Sequence, residues 1–314
     1  MAALRSERDG RVLVVRLGTP PLYFLDERLV AELTLLVDDL RADSSVGALV
    51  LTGPGPGAFV THYDIGALLA GSERFGLSMP VAAAGLAGRI VGALARVPGL
   101  QRALQKTPVA GILELDATAA LFHKLERLDK VVIAAIGGPA LGAACELALA
   151  CDLRYLASGA GAIGSPELSQ GFAPGAGGTQ RHARALGQAR ALETILEARM
   201  PAPEEALALG LVHRIVAPER LLQEALTTAH RLARRSPFSV AAVKRAIQEG
   251  SRLPLADGLA LERKWFMAAL SRPAARRALQ QYVDELARTG RGAWEDEQTF
   301  AAWREGTAVD LIES

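Results

Sequence analysis

Two glutamates follow small residues and stand beside glycine-rich turns in this chain of 314 residues. Glu146 lies in ALGAACELALAC, where its neighbours are apolar and burial of an unpaired charge would be costly. Glu167 lies in GSPEL, just before a second glycine-rich turn. If both carboxylates face one pocket, burial and mutual repulsion would raise the pKa of at least one of them. Such a pair can work as acid and base near neutral pH.

Each glutamate also has a purely structural interpretation. Glu146 could be a solvated or capping acid near the amino terminus of a helix, where the helix dipole favours negative charge. Glu167 could be a first-turn helix acid that follows Ser165 and Pro166. The spacing of the two residues along the chain is compatible with either interpretation, so both stay open at this point.

Alternating strand and helix patterns surround the two glutamates. Apolar residues at helical spacing predict a helix over residues 26–42 with Asp26 as its cap, a second helix over 142–150 and a third from Thr179. Strands alternate with these helices and no hairpin signal is recognised, which predicts a layered α/β fold with ligands at its glycine-rich turns. Apolar runs bounded by turn formers predict strands at 11–17, 47–53, 131–136 and 152–157.

One segment, residues 66–125, interrupts this pattern because it has no strand signal and is rich in Ala, Gly, Leu and Val. It could be a packed helical insertion, a lid over a ligand, or a surface helix that touches a membrane. One face of a predicted amphipathic helix in it carries Ile90, Val91, Leu94 and Val97. We expect a core over residues 1–235 that contains this insertion, a helical region over 236–290 and a polar tail over 291–314.

The composition argues against some classes of partner. The chain has 35 basic and 34 acidic side chains and a formal net charge of +1, so no uniform field exists to hold nucleic acid. Cys145 and Cys151 are expected as buried small hydrophobic residues. Without a secretory signal or a membrane-spanning run, a cytoplasmic protein is expected. No metal is expected, because metal-ligand spacing is missing among His123, His182, His213 and His230.

Three blocks of sequence carry a family resemblance. They read VVIAAIGGPALGAACELALACDLRYLA, SPELSQGFAPGAGGTQR and PEEALALGLVHRIV. In order and spacing they resemble the enoyl-CoA hydratase/isomerase (crotonase) superfamily. The resemblance implies a spiral of ββα units, an acyl-CoA thioester as substrate, no cofactor beyond the CoA that the substrate carries, and a homotrimer or a dimer of trimers.

The resemblance also implies roles for single residues. The thioester carbonyl would lie in an oxyanion hole made by the backbone N–H groups of Tyr63 and Ala143. Glu146 and Glu167 match the two glutamates that hold the attacking water in the hydratases, and Gly175 matches a glycine whose backbone orients that water. Hydration of a trans-2-enoyl-CoA is therefore expected. An isomerase or another enolate-forming enzyme with Glu167 as main base, and a noncatalytic acyl-CoA-binding paralogue, are the alternatives.

The chain departs from the family pattern near the first expected donor. Thr61, His62, Tyr63 and Asp64 stand where Ala-Gly-x-Asp is usual. His62 could contact the substrate, since histidine titrates near neutral pH, or it could be structural and point away from the pocket.

The CoA-contact motif near the amino terminus is altered as well. LGTPPLYFLDERL replaces the more usual Pro-x-x-Asn-Ala-Leu pattern, so the residues that bind CoA are unknown. Four basic residues could meet the CoA phosphates or be ordinary surface charges, namely Lys124, Arg127, Lys130 and Lys264.

Overall fold

The structure is a computed structural model that describes residues 3–18, 20–76, 78–97 and 99–312. Its strands are β1 (Leu4–Asp9), β2 (Val12–Leu17), β3 (Ala48–Thr52), β4 (Val131–Ile136), β5 (Ala140–Leu141), β6 (Leu153–Ala157), β7 (Ile163–Gly164) and β8 (Arg214–Val216). Its helices are α1 (Glu27–Ala42), α2 (Ile65–Phe75), α3 (Val81–Ala95), α4 (Leu100–Leu104), α5 (Ala110–Glu126), α6 (Ala143–Leu149), α7 (Gly178–Leu186), α8 (Gln188–Leu196), α9 (Pro203–Leu209), α10 (Leu221–Leu232), α11 (Pro237–Gly250), α12 (Leu255–Leu270), α13 (Pro273–Thr289) and α14 (Glu297–Glu305).

The central sheet has the strand order β1-β2-β3-β4-β6-β8, and β5 pairs with β7 in a second, two-stranded sheet. From β2 to β8 all neighbouring strands are parallel. Strands β3 and β4 are buried along their whole length, as parallel strands are when both faces of the sheet are covered. The fold is the mixed α/β type expected from the sequence.

The expectation that the chain has no hairpin is wrong at the amino terminus. Strand β1 runs antiparallel to β2, and Gly10 in the turn between them adopts a φ of +58°, which suits glycine in a two-residue hairpin turn. The sequence LRSERD gave no strand signal because β1 is an edge strand whose residues are mostly exposed and charged.

The other predicted elements form close to their predicted bounds. Asp26 caps α1, where its carboxylate accepts a hydrogen bond from the Leu29 N–H at 2.7 Å. Helix α7 begins at Gly178, one residue before the predicted start. Cys145 and Cys151 are buried free cysteines, as expected.

Between Ile65 and Glu126 the chain forms α2, α3, α4 and α5, and α3 packs against α5. On the predicted amphipathic face, only Val91 is buried, whereas Ile90 and Leu94 are half exposed. Within the described ranges, no helix combines the length and the apolar character that crossing a membrane requires.

The carboxy-terminal helices are attached to the sheet by a buried lysine. Lys244 on α11 donates to the Asp152 carboxylate at 2.8 Å and to the Lys130 carbonyl at 2.9 Å. Asp152 also accepts a hydrogen bond from the Val132 N–H in β4. Helix α11 therefore packs at a defined place beside β4 and β6.

Candidate active site

A cavity of about 450 Å³ lies between the β3–α2 loop, the helices α2 and α5, the start of α6 and the loop that precedes α7. Both glutamates singled out by the sequence line this cavity, and so do His62, Tyr63 and Gly175. The fold thus brings together side chains that lie more than 100 positions apart in the chain.

Glu146 is 1% exposed, which excludes the solvated interpretation. Its carboxylate accepts hydrogen bonds from the Gly178 N–H at 2.7 Å and from the Ala176 N–H at 3.2 Å, so it caps α7 rather than its own helix. Burial raises the pKa of Glu146 to about 7, the Gly178 N–H opposes that rise, and the nearby Glu167 carboxylate adds to it. This carboxylate can therefore exchange a proton near neutral pH.

The loop that holds Glu146 is itself held by an arginine. Arg181 donates from Nη1 to the Ala176 carbonyl at 2.8 Å and from Nε to the Glu126 carboxylate at 2.7 Å. Gly177 adopts a φ of +110°, and a Cβ at this position would collide with the Arg181 guanidinium. The two N–H groups are thereby directed at Glu146.

Glu167 begins a short 3-10 helix, Glu167–Gln170, and its side chain is buried. Burial raises its pKa. In the part of the chain that the structure describes, its Oε2 atom is sealed from solvent and has no hydrogen-bond partner. A buried carboxyl oxygen without a hydrogen-bond partner is costly while the group is ionised, so this environment favours the protonated form of Glu167.

Gly142 makes room for Glu167. It has a φ of +54°, and a Cβ there would lie 2.7 Å from Glu167 Oε1. The residue that precedes α6 is thus a glycine for two reasons, its backbone conformation and the close approach of a carboxylate.

The two expected oxyanion donors have free N–H groups. Ala143 is the first residue of α6, where backbone N–H groups lack helical partners. The Leu25 N–H donates to the His62 carbonyl, and the Leu25 carbonyl accepts from the Asp64 N–H. Leu25 thus bonds to the residues before and after Tyr63 but leaves the Tyr63 N–H free. Among the described residues neither the Tyr63 N–H nor the Ala143 N–H donates a hydrogen bond. A hydrogen bond of 2.7 Å from Leu141 to Thr61 joins the two segments.

Gly175 lines the cavity beside Leu115, and a Cβ at this glycine would lie 3.0 Å from the nearer Leu115 methyl group. Its N–H also donates no hydrogen bond within the described ranges. The Gly175 N–H is therefore free to donate to a small ligand such as water.

His62 lies on the cavity wall, with its Nδ1 at 2.6 Å from the Tyr63 carbonyl and its ring 4.7 Å from the Phe24 ring, centroid to centroid. Because a carbonyl oxygen only accepts, Nδ1 is the donor in this contact. The histidine that replaces a glycine therefore fixes the peptide that follows it.

The sequence did not single out Glu114, which the structure places in the same cavity. It lies on α5 and accepts a hydrogen bond from the Tyr63 hydroxyl at 3.2 Å. A signal was available, since Glu114 stands among apolar residues of a helix, as Glu146 does. The partner lies 51 positions away, however, and only the fold reveals it.

The enoyl-CoA hydratase/isomerase family model matches residues 103–295, more than half of the chain. This chain belongs to the enoyl-CoA hydratase/isomerase family. The match includes α5, α6, both glutamates and the loop before α7, whereas the part of the cavity formed by the β3–α2 loop and α2 lies outside it.

Two curated relatives extend the similarity to most of the chain. The short-chain-enoyl-CoA hydratase of Clostridium acetobutylicum is 31% identical over 280 residues, which cover 89% of this chain and 94% of the relative. A probable enoyl-CoA hydratase of Rhizobium meliloti is 34% identical over 281 residues, with coverage of 89% and 94%. Among solved structures, an enoyl-CoA hydratase from Bacillus anthracis matches with a TM-score of 0.73 at 25% identity, covering 90% of this chain and 96% of its own. The fold is crotonase-like, as the resemblance implied.

In this family member, none of the four basic candidates for CoA binding lines the cavity. Lys124 is paired with Asp38, and Arg127 with Glu249. Lys130 is 1% exposed and is paired with Asp129. Lys264 is exposed on α12. The first three interact with the protein's own carboxylates.

The four histidines outside the cavity make contacts within the protein. His182 is fully buried, with Nδ1 near the Gly178 carbonyl and Nε2 near the Cys145 sulfur. His213 accepts a hydrogen bond from the Arg154 N–H, and His230 and His123 face Asp9 and Glu126. In the described part of the chain, no cluster of three or more His, Cys, Asp or Glu side chains is arranged to hold a metal ion.

Proposed function

We propose that this chain is an enoyl-CoA hydratase, a lyase that adds water across the 2,3 double bond of a trans-2-enoyl-CoA thioester. One observation carries the proposal: two buried glutamates with raised pKa values line one cavity beside two free backbone N–H groups. Membership of the family and the hydratase relatives support it.

The Tyr63 and Ala143 N–H groups would bind the thioester carbonyl oxygen. As water adds to C3, negative charge develops on this oxygen, and preorganised donors stabilise that charge more than they stabilise the ground state. The dipole of α6 has its positive end at Ala143 and acts in the same direction. Each such donor can contribute a factor of roughly 10² to 10³ in rate.

The two glutamates would divide the proton transfers. Glu146 receives backbone hydrogen bonds, which favour its ionised form, so it is the base that takes a proton from water as the oxygen attacks C3. Glu167 is buried without a partner for Oε2, which favours its protonated form, so it is the acid that gives a proton to C2. A Gly175 N–H that is free in the cavity would orient the water. The substrate gains one water molecule in total, and exchange of one proton with solvent at each glutamate returns Glu146 to its ionised form and Glu167 to its protonated form.

The proposed mechanism uses no group beyond the CoA of the substrate. The proposal has three further parts. The protein would assemble as a homotrimer or a dimer of trimers, and it would be located in the cytoplasm. The chain would divide into a core over 1–235 and a helical region over 236–290. Sedimentation velocity of the purified protein measures the assembly directly.

The test is the loss of ultraviolet absorbance of a panel of trans-2-enoyl-CoA thioesters. Wild-type protein is expected to consume them, and Glu146→Gln and Glu167→Gln are each expected to lose most of the activity. Glu204→Gln is the matched control, because Glu204 is exposed on α9 and lies outside the cavity.

Two outcomes would contradict hydration. Activity that survives Glu146→Gln but not Glu167→Gln would favour isomerisation with Glu167 as the base. A wild-type protein that binds acyl-CoA yet is as inert as both variants would favour a noncatalytic binding protein.

A further inference from the structure

The Tyr63 side chain extends away from the proposed oxyanion donor, its own backbone N–H, and reaches helix α5. Its hydroxyl donates to Glu114 Oε2 at 3.2 Å, which is long for a hydrogen bond to a carboxylate, where 2.5–2.7 Å is usual. Burial first, and the Glu114 carboxylate second, raise the pKa of the Tyr63 hydroxyl. The tyrosine therefore keeps its proton and acts as the donor in this pair.

The pair leaves hydrogen-bonding capacity unused. A carboxylate has about four acceptor sites, and in the described part of the chain Tyr63 is the only hydrogen-bond donor to the Glu114 side chain. No basic side chain of that part forms an ion pair with Glu114. Glu114 is partly exposed, and the surface it borders is the cavity. The oxygen Oε1 of Glu114 is thus open to a ligand.

The surroundings of the pair are mainly apolar. Side chains from α2 and α5 form this part of the cavity wall. The Thr118 hydroxyl, one turn further along α5, donates to the Glu114 backbone carbonyl. A hydrocarbon chain would pack on the apolar wall but would cover Oε1 of Glu114 without offering it a hydrogen bond, which is costly. The apolar members of this wall are Ile65, Leu68, Phe75, Ile112 and Leu115.

We propose that Tyr63 and Glu114 form a second polar subsite, which binds a hydroxyl group on the acyl chain, so that the substrate is a hydroxylated acyl-CoA rather than a plain fatty acyl-CoA. This inference rests on the proposed function only for the acyl-CoA class of the ligand. The hydroxyl of the ligand would donate to Glu114 Oε1. It would accept from neither residue, because the Tyr63 proton is already donated to Glu114 Oε2. One donor of the ligand is thus matched with one free acceptor of the protein.

The chemistry of the subsite distinguishes a hydroxyl from other polar groups. An ammonium group would bring a full positive charge into a mainly apolar wall, at a desolvation cost that a neutral hydroxyl with a single donor avoids. A terminal carboxylate would stand against the like charge of Glu114 and is disfavoured. An unsubstituted chain forfeits the hydrogen bond.

The experiment is calorimetric titration of the full-length protein with saturated acyl-CoA thioesters, which bind without turnover. We compare hexanoyl-CoA with 6-hydroxyhexanoyl-CoA and with the six-carbon mono-CoA ester of adipic acid, and octanoyl-CoA with 8-hydroxyoctanoyl-CoA. At least one hydroxylated ester is expected to bind about tenfold more tightly than its plain counterpart, as for a hydrogen bond to a charged group, and the carboxylated ester more weakly.

The double variant Tyr63→Phe/Glu114→Leu removes both polar partners and avoids an orphaned hydroxyl. It is expected to reverse the order, so that the plain ester binds more tightly than the hydroxylated one. Asp116→Asn is the control, since Asp116 lies on the same helix, is exposed and is outside the cavity. This variant is expected to keep the wild-type order.

Equal affinity of the wild-type protein for plain and hydroxylated esters at both chain lengths would overturn the inference, whatever the variants do. Because binding of saturated esters needs no catalysis, a wild-type protein that prefers the hydroxylated ester but hydrates no enoyl-CoA would uphold the subsite and refute the hydratase. An active hydratase without that preference would do the opposite.

Discussion

The Gly178 N–H donates a hydrogen bond of 2.7 Å to Glu146 Oε1, and so joins the start of helix α7 to a carboxylate on helix α6. The two helices pack against each other through small residues at this point. A Cβ on Gly178 would lie only 2.5 Å from that same oxygen. The position of the proposed base is therefore determined by a residue that has no side chain.

Gly178→Ala is the first test of this relationship. The added methyl group has to displace the Glu146 carboxylate, and a misplacement of about 1 Å in a catalytic group can cost roughly 10²-fold in rate. We expect kcat for a trans-2-enoyl-CoA to fall by about that factor, measured from the decay of enoyl absorbance. Gly88→Ala on α3 is the control, because a Cβ at Gly88 meets nothing within 4 Å. Full activity of Gly178→Ala would contradict the positioning role.

The parts of the fold that could be predicted are those whose signal is local. Strands β3 and β4 are continuous apolar runs and α1 has its cap directly before it, so their bounds follow from neighbouring residues. The edge strand β1 has no such signal, because its exposed charged residues are stabilised as a strand only by pairing with β2.

The candidate site divides in the same way. The glycine-rich blocks marked Glu146 and Glu167, but whether an acid is buried depends on what packs over it. Glu146 is held by N–H groups 30 and 32 positions further along the chain. Glu114 was not found, because its partner Tyr63 belongs to a loop on the other side of the helical segment.

The pH dependence of the rate provides the second prediction. Glu146 must be ionised to act as base, and burial raises its pKa to about 7. We expect kcat/KM to rise tenfold per pH unit below pH 7 and to level off above it, since this ratio reports the free enzyme. A rate that is flat from pH 5 to 8 would contradict the assignment of Glu146.

Stability should change with pH in the opposite direction. The folded chain holds the Glu146 proton up to about pH 7, whereas the unfolded chain releases it near the ordinary value of 4.5. The folded state therefore binds more protons between these pH values, and the free energy of unfolding falls as the pH rises through them. The contribution is on the order of 3 kcal/mol.

The glutamine variant isolates this effect. Glu146→Gln cannot ionise, so its Tm should fall less than that of the wild-type protein between pH 5 and 8. Thermal unfolding followed by circular dichroism at several pH values gives the comparison, with the exposed Glu204→Gln as the control. Identical pH dependence of Tm in wild type and Glu146→Gln would mean that Glu146 is not the buried proton-binding group.

Arg181 is expected to act on the reaction through Glu146. Its positive charge lowers the pKa of Glu146, and its guanidinium holds the Ala176 carbonyl. In Arg181→Met the pKa of Glu146 should rise, so the acidic limb of the kcat/KM profile should move to higher pH and kcat should fall.

A merely structural arginine would lower activity equally at all pH values, so the shift of the limb is the decisive measurement. Arg181→Lys keeps the charge but loses the forked donor. Compared with Arg181→Met, it is expected to bring the acidic limb of the kcat/KM profile back toward its wild-type pH more fully than it restores the maximal kcat/KM. Arg184→Met, on the exposed side of the same helix, should leave both unchanged. If the acidic limb lies at the same pH in Arg181→Met and in the wild-type protein, the charge of Arg181 does not set the pKa of Glu146.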